Sequence, residues 1–377
     1  MLNELVSGHT HDHIDWADRL ALLRAADTLD APAQASIAER LVAKLPPHPT
    51  VIDLGCGAGG MSTHFAQALA TRDGGTVILV DATPELLHEA ERAVRSAAEH
   101  AVRSAVDGAV GPAAGGAVRS AVDGAVGPAA GRAVRSAAER VVGPAREHAI
   151  HPAVDGVVRP EAERAVRTPA DGGRQAEADS VQTVEVRAVV ADLADAGLPG
   201  LLPAADLVWA SRVVHHLPDQ QAAIGTLSAV ARDGGVVALA EGGLNFSCLP
   251  WDLGVGRPGL EDRLQAAQAE WFVGMREGID GAVPMPYGWP IALERAGLAD
   301  VSSFSALVDH PAPGPDGLTD YVHHHLSRLA DHGADFLTAD DRATLATLLD
   351  PDGEHSLAKR RDLYLLGVRT VHHGRRT

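Results

Sequence analysis

Residues 51–60 read Val-Ile-Asp-Leu-Gly-Cys-Gly-Ala-Gly-Gly. An apolar, β-branched run that gives way to closely spaced glycines predicts a buried strand turning sharply into a helix, here over about 61–70. Glycines let the backbone approach a ligand that any Cβ would hold off, and the following helix points its N-terminal amides at the same place. Two spacings fit: Asp53-x-Gly55-x-Gly57-x-Gly59, and the dinucleotide-type Gly55-x-Gly57-x-x-Gly60. Asp53 bears on the choice, because a carboxylate at the strand end suits a cationic ligand and suits a pyrophosphate poorly.

Downstream, the strand Thr76-Val-Ile-Leu-Val-Asp81 ends in a carboxylate placed for ribose hydroxyls, whichever nucleotide is bound. Residues 206–219 read Asp-Leu-Val-Trp-Ala-Ser-Arg-Val-Val-His-His-Leu-Pro-Asp, followed by a helix over about 220–231 and by Asp-Gly-Gly-Val-Val-Ala-Leu-Ala-Glu at 233–241. Asp192-Leu193 follows a predicted strand at 184–190. In this order the motifs resemble those of class I S-adenosylmethionine (SAM)-dependent methyltransferases. The resemblance implies an α/β fold with a Rossmann-like seven-stranded sheet, helices on both faces, N-terminal helices and a helical substrate cap after the fifth strand. It implies S-adenosyl-L-methionine as cofactor, with a site drawn from Asp53, Gly55, Cys56, Gly57, Gly59, Asp81, Ala82, Asp192, Leu193 and Ser211.

The chain has 377 residues and a formal net charge of −18, with no basic stripe to offset it, which argues against a nucleic-acid substrate. Its two cysteines, Cys56 and Cys248, exclude a disulfide framework and suit a reducing, cytoplasmic compartment. No apolar stretch is long enough to span a membrane and no signal core opens the chain. A small-molecule acceptor fits these bounds, and a homodimer is compatible with them.

From Ala93 to Gly172 the sequence runs in octapeptides such as AVRSAVDG and AVGPAAGR. An eight-residue period turns its apolar pair by about 80° per repeat on a helix of 3.6 residues per turn, so no continuous apolar stripe forms. Prolines at 112, 128, 144, 152, 160 and 169 break any long helix. The reading is a surface insertion, disordered or fitfully helical; the alternative is a protein-binding arm. The expected organisation is therefore an N-terminal helical segment (1–46), a SAM-binding core (47–92 and 181–243) split by the insertion (93–180), a helical cap (244–300), and C-terminal strands with inserted helices (301–377).

Six of the thirteen aromatic residues, Phe246, Trp251, Trp271, Phe272, Tyr287 and Trp289, fall just after the fifth strand. They are expected to line an acceptor pocket, with Trp251, Tyr287 and Trp289 as the substrate-binding candidates and His11 joining them from the N-terminal segment. Methyl transfer to a hydroxyl or amine needs a proton removed, and His215, His216 and Glu241 are the candidate bases at the strand ends. The His9/His11/His13 and His323–His325 runs lack a partner motif, and no metal is expected. Three functions fit: an O- or N-directed small-molecule methyltransferase of the kind that tailors secondary metabolites, a modifier of a peptide or protein, and a non-catalytic SAM sensor.

Overall fold

The structure is a computed structural model describing residues 16–109 and 183–377. The chain divides into two units: residues 1–105 with 182–377, and residues 106–181. Apart from the end of one helix, the second unit lies outside the described residues, and so do most of the octapeptide array and His9, His11 and His13.

The first unit opens with a long helix, α1 (Trp16–Val42), which runs through Pro32 where two or more shorter helices were expected. Alternation then follows: β1 (Thr50–Leu54), α2 (Gly60–Ala70), β2 (Gly75–Asp81), α3 (Pro84–Ala109), β3 (Val184–Val190), the short α4 (Leu198–Leu201), β4 (Ala205–Ser211), α5 (Gln220–Val230) and β5 (Ala231–Ala240). These five strands are parallel, in the order β3-β2-β1-β4-β5. The order reverses between β1 and β4, so the loops leaving those two strands diverge and open a crevice at the carboxyl edge.

Beyond β5 come β6 (Gly243–Ser247), α6 (Leu260–Glu277), α7 (Trp289–Arg295), β7 (Leu298–His310), α8 (Leu318–His332), α9 (Ala339–Leu349) and β8 (Leu365–Arg376). β8 inserts antiparallel beside β5, and β7 pairs with its outer edge. The sheet has eight strands, one more than expected. Residues 244–247, expected to be helical, belong to β6, which pairs with β8 from Arg369 to Leu366, the stretch next to that which β5 pairs from Arg375 to His372. β5 and β6 thus run as one strand interrupted at Glu241–Gly242, and Gly242 takes a left-handed φ of 73° at the break.

Alternation along the strands divides the core. Ile52, Leu54, Val208, Ala210, Val237 and Leu239 pack with Ile224 and Leu227 of α5 and Leu293 of α7. Val51, Leu79, Leu207, Trp209 and Ala238 face the opposite side, against Phe65 of α2, Leu87 of α3 and Leu264 of α6. Trp209 meets Phe65 edge-on, ring centroids 5.6 Å apart, which sets α2 and its glycine turn against the middle of the sheet.

Candidate active site

The glycine turn hangs from β2 as much as from β1. The Gly55 and Cys56 amides both donate to the Val80 carbonyl, and the Gly57 amide donates to Asp81 Oδ2 at 2.9 Å. The other Asp81 oxygen accepts from the Thr83 amide at 2.9 Å. Asp81 therefore shapes the loop, while its oxygens keep further lone pairs for a ribose. Each glycine answers to a different neighbour. Gly57 has φ 53° and open space where a Cβ would stand, which is where a ligand can reach the main chain. A Cβ on Gly55 would lie 2.5 Å from Val213, and one on Gly59 would lie 2.9 Å from the backbone of Ala90 in α3, so these two serve packing. Cys56 is buried and free.

Asp53 is 2% exposed and accepts a 2.5 Å hydrogen bond from Ser62 Oγ on α2. Burial pushes its carboxyl up to about 7; the Ser62 bond lowers it, and the fields of Asp81 and Asp27 raise it further. Asp192 accepts from the Ala194 amide at 2.8 Å, in a tight turn that carries the buried Leu193. Ser211 ends β4, Ala82 is exposed at the end of β2, and Asp81 and Ala191 are tied by their backbones. The cofactor candidates thus converge on the carboxyl ends of β1, β2, β3 and β4.

His215 and Glu241 meet because β4 and β5 are neighbours with Ser211 opposite Ala240. Glu241 is 1% exposed; its Oε1 accepts from the Val213 and Val214 amides, each at 2.9 Å, and its Oε2 lies 2.7 Å from His215 Nδ1. A carboxylate that gathers amides is an acceptor, so Nδ1 presents a hydrogen to it, and in the neutral ring the lone pair then falls on Nε2. His216 packs against His215 with centroids 4.0 Å apart, and Phe272 of α6 stands 5.7 Å from His215. Arg276 of α6 fixes the loop from the other side by donating to the His215, Leu217 and Pro218 carbonyls.

The aromatic residues do not gather in one pocket. Phe246 is buried under the Arg369 guanidinium, 4.4 Å from its ring centroid. Trp271 stacks on His332. Tyr287 and Trp289 pack on the opposite core, Tyr287 donating to Gln221 and lying under Arg295. Trp251 is 71% exposed. Of the six, Phe272 has its ring against His215. In the His323–His325 run, His323 meets the Leu349 carbonyl, whereas His325 stacks on Tyr321 and burial pushes it down to about 4. Successive helical residues face apart, and among the described residues no metal-binding cluster forms.

A group of charged and polar side chains near the glycine turn was passed over by motif reading. Arg212, just after β4, takes a left-handed φ of 55° and is solvent-exposed although charges surround it. Protein packed around the guanidinium desolvates it and, with the nearby Arg369, lowers its pKa, while Asp30, Tyr321 and Asp27 favour its charge. Arg369 of β8 donates to Asp30 of α1 at 2.6 Å. Asp27, Asp30 and Gln34 lie at i, i+3 and i+7 of α1, a polar face on a buried side that the helical period makes legible after the fact.

A methyltransferase domain model matches residues 28–273, from α1 to α6. No curated protein matches. Solved structures similar to the chain include an O-methyltransferase family protein from Burkholderia thailandensis (17% identity, 77% of this chain and 57% of that one, TM-score 0.36). The YcgJ protein of Bacillus subtilis (12%, 91% and 98%, 0.36) and a geranyl diphosphate methyltransferase in complex with GPP and sinefungin (11%, 92% and 78%, 0.36) are also similar. Membership rests on the domain match, which spans most of the chain: this protein belongs to the methyltransferase domain family and is a SAM-dependent methyltransferase.

Proposed function

We propose that the enzyme methylates an oxygen or nitrogen of a small-molecule acceptor, with His215 as the base that takes the acceptor's proton. The His215–Glu241 pair carries this reading: a 2.7 Å contact fixes the ring so that Nε2 is the free acceptor at the carboxyl edge of the sheet. Glu241, spent on two amides and the imidazole, is a positioning residue. SAM, when bound, supplies an electrophilic methyl on a sulfonium, so the protein's task is alignment and proton removal.

The residues present fit that cofactor: open space over Gly57 for a backbone approach, a buried Asp53 that a cation would stabilise, and Asp81 at the end of β2 for the ribose. The charged group of Arg212, Arg369 and Asp30, with Tyr321 nearby, supports a compact polar acceptor over a polymer. A role in tailoring secondary metabolites and a cytoplasmic setting for the two buried thiols complete the proposal. No helix among the described residues is long and apolar enough to cross a membrane.

The test is a His215→Asn variant assayed with labelled SAM and the source extract. It should lose methyl transfer by about a hundredfold while S-adenosylhomocysteine binds as before. Transfer at the wild-type rate would remove His215 from the chemistry.

A further inference from the structure

Asp27 reaches from α1 to the last glycine of the turn. A Cβ on Gly60 would lie 2.2 Å from Asp27 Cγ and 2.3 and 2.4 Å from its two oxygens, so the carboxylate lies flat against the loop where α2 begins. Gln34, one helical face further along, donates Nε2 to Asp27 Oδ1 at 3.3 Å. Its own Oε1 is buried without a partner, on a side chain only 8% exposed. An amide oxygen sits next to its nitrogen, so the orphaned acceptor is held beside the Asp27 carboxylate. Leaving such a group unpaired is costly, and a donor-bearing ligand would satisfy it.

The surroundings ask for a cation. Burial pushes the Asp27 carboxyl up, the Gln34 bond and Arg212 lower it, Asp30 raises it, and Arg369 lowers it. Across the turn, Asp53 feels both Asp27 and Asp81. Two acceptor groups from one helix thus stand side by side, the Asp27 carboxylate against the turn at Gly60 and the unpaired Gln34 amide oxygen beside it.

We infer that Asp27 and Gln34 form an ammonium subsite through which α1 grips the amino-acid end of the cofactor. The inference rests on the SAM reading above. It makes α1 part of the cofactor site, and because the same helix carries Asp30 against Arg369, cofactor binding would order one side of that charged group.

Calorimetry with S-adenosylhomocysteine and with its deamino analogue, which keeps the carboxylate but lacks the amine, tests it. In the wild type, loss of the amine should weaken binding about tenfold or more; in Asp27→Asn the two ligands should bind within about twofold of each other. Gln34→Leu should narrow the gap in the same direction. An undiminished gap between the two ligands in Asp27→Asn overturns the subsite, as does equal weakening of both ligands. Should the wild type bind neither ligand, the SAM reading itself fails, a separate result.

Discussion

Glu241 Oε2 lies 2.7 Å from His215 Nδ1, while Glu241 Oε1 holds the two amides that begin the histidine turn. One carboxylate therefore fixes both the path of the loop and the tautomer of the ring. Glu241→Gln keeps an oxygen for the amides but presents an NH₂ group to Nδ1, which drives the hydrogen onto Nε2 and removes the base. The turnover rate is expected to fall about a hundredfold or more with S-adenosylhomocysteine affinity within about twofold. Combined with His215→Asn, the second substitution should cost little more, as for residues acting as one unit.

Asp53 predicts a trade between stability and binding. Its folded-state carboxyl, held at about 7 chiefly by burial, is above the ordinary value of 3.8. The unfolded chain therefore loses that proton first as pH rises, and stability falls between about pH 4 and 7. Asp53→Asn has no such loss. It should be more stable than the wild type at pH 8 by about 4 kcal/mol, with the difference nearly vanishing near pH 4, and should bind S-adenosylhomocysteine about tenfold more weakly. Urea melts at the two pH values check the first part, and calorimetry the second.

Arg212 keeps solvent access and feels the charges of Asp30, Tyr321 and Asp27. Arg212→Gln is expected to raise the acceptor KM about tenfold, with kcat changed less and cofactor affinity nearly unchanged. Steady-state kinetics with each substrate varied in turn distinguish this from a loss of fold, which would lower active-site concentration without moving KM.

Among the described side chains of α3, Ala98 is the last in the core, at 4% exposure. Replacing residues 106–181 with a short glycine-serine linker should leave a soluble protein whose melting temperature lies within a few degrees of the parent, since loop closure depends only logarithmically on length. A large fall would assign the octapeptide segment a structural role.

Much of the site was legible because its requirements are local. A buried strand, glycines and a terminal carboxylate lie within ten residues, and the Asp81 and histidine motifs are equally short. The His215–Glu241 pairing followed once β4 and β5 were adjacent, since residues just past Ser211 and Ala240 must fall side by side. What could not be read depends on distant packing. Asp27 reaches Gly60 only because α1 folds back along α2. The aromatic residues looked like one pocket in sequence, but strand alternation sends Phe246 to one face of the sheet while Tyr287 and Trp289 pack on the other. β6 was hidden because the break at Glu241–Gly242 looks like a strand end until β8 is seen pairing across it.

The most direct measurement follows the methyl group. The protein is incubated with methyl-labelled SAM and an extract of its source, and the products are separated by mass. The account predicts label in a low-molecular-mass product formed by the wild type and reduced about a hundredfold by Glu241→Gln. Label confined to protein, or no transfer from SAM in the presence of the full extract, would contradict it.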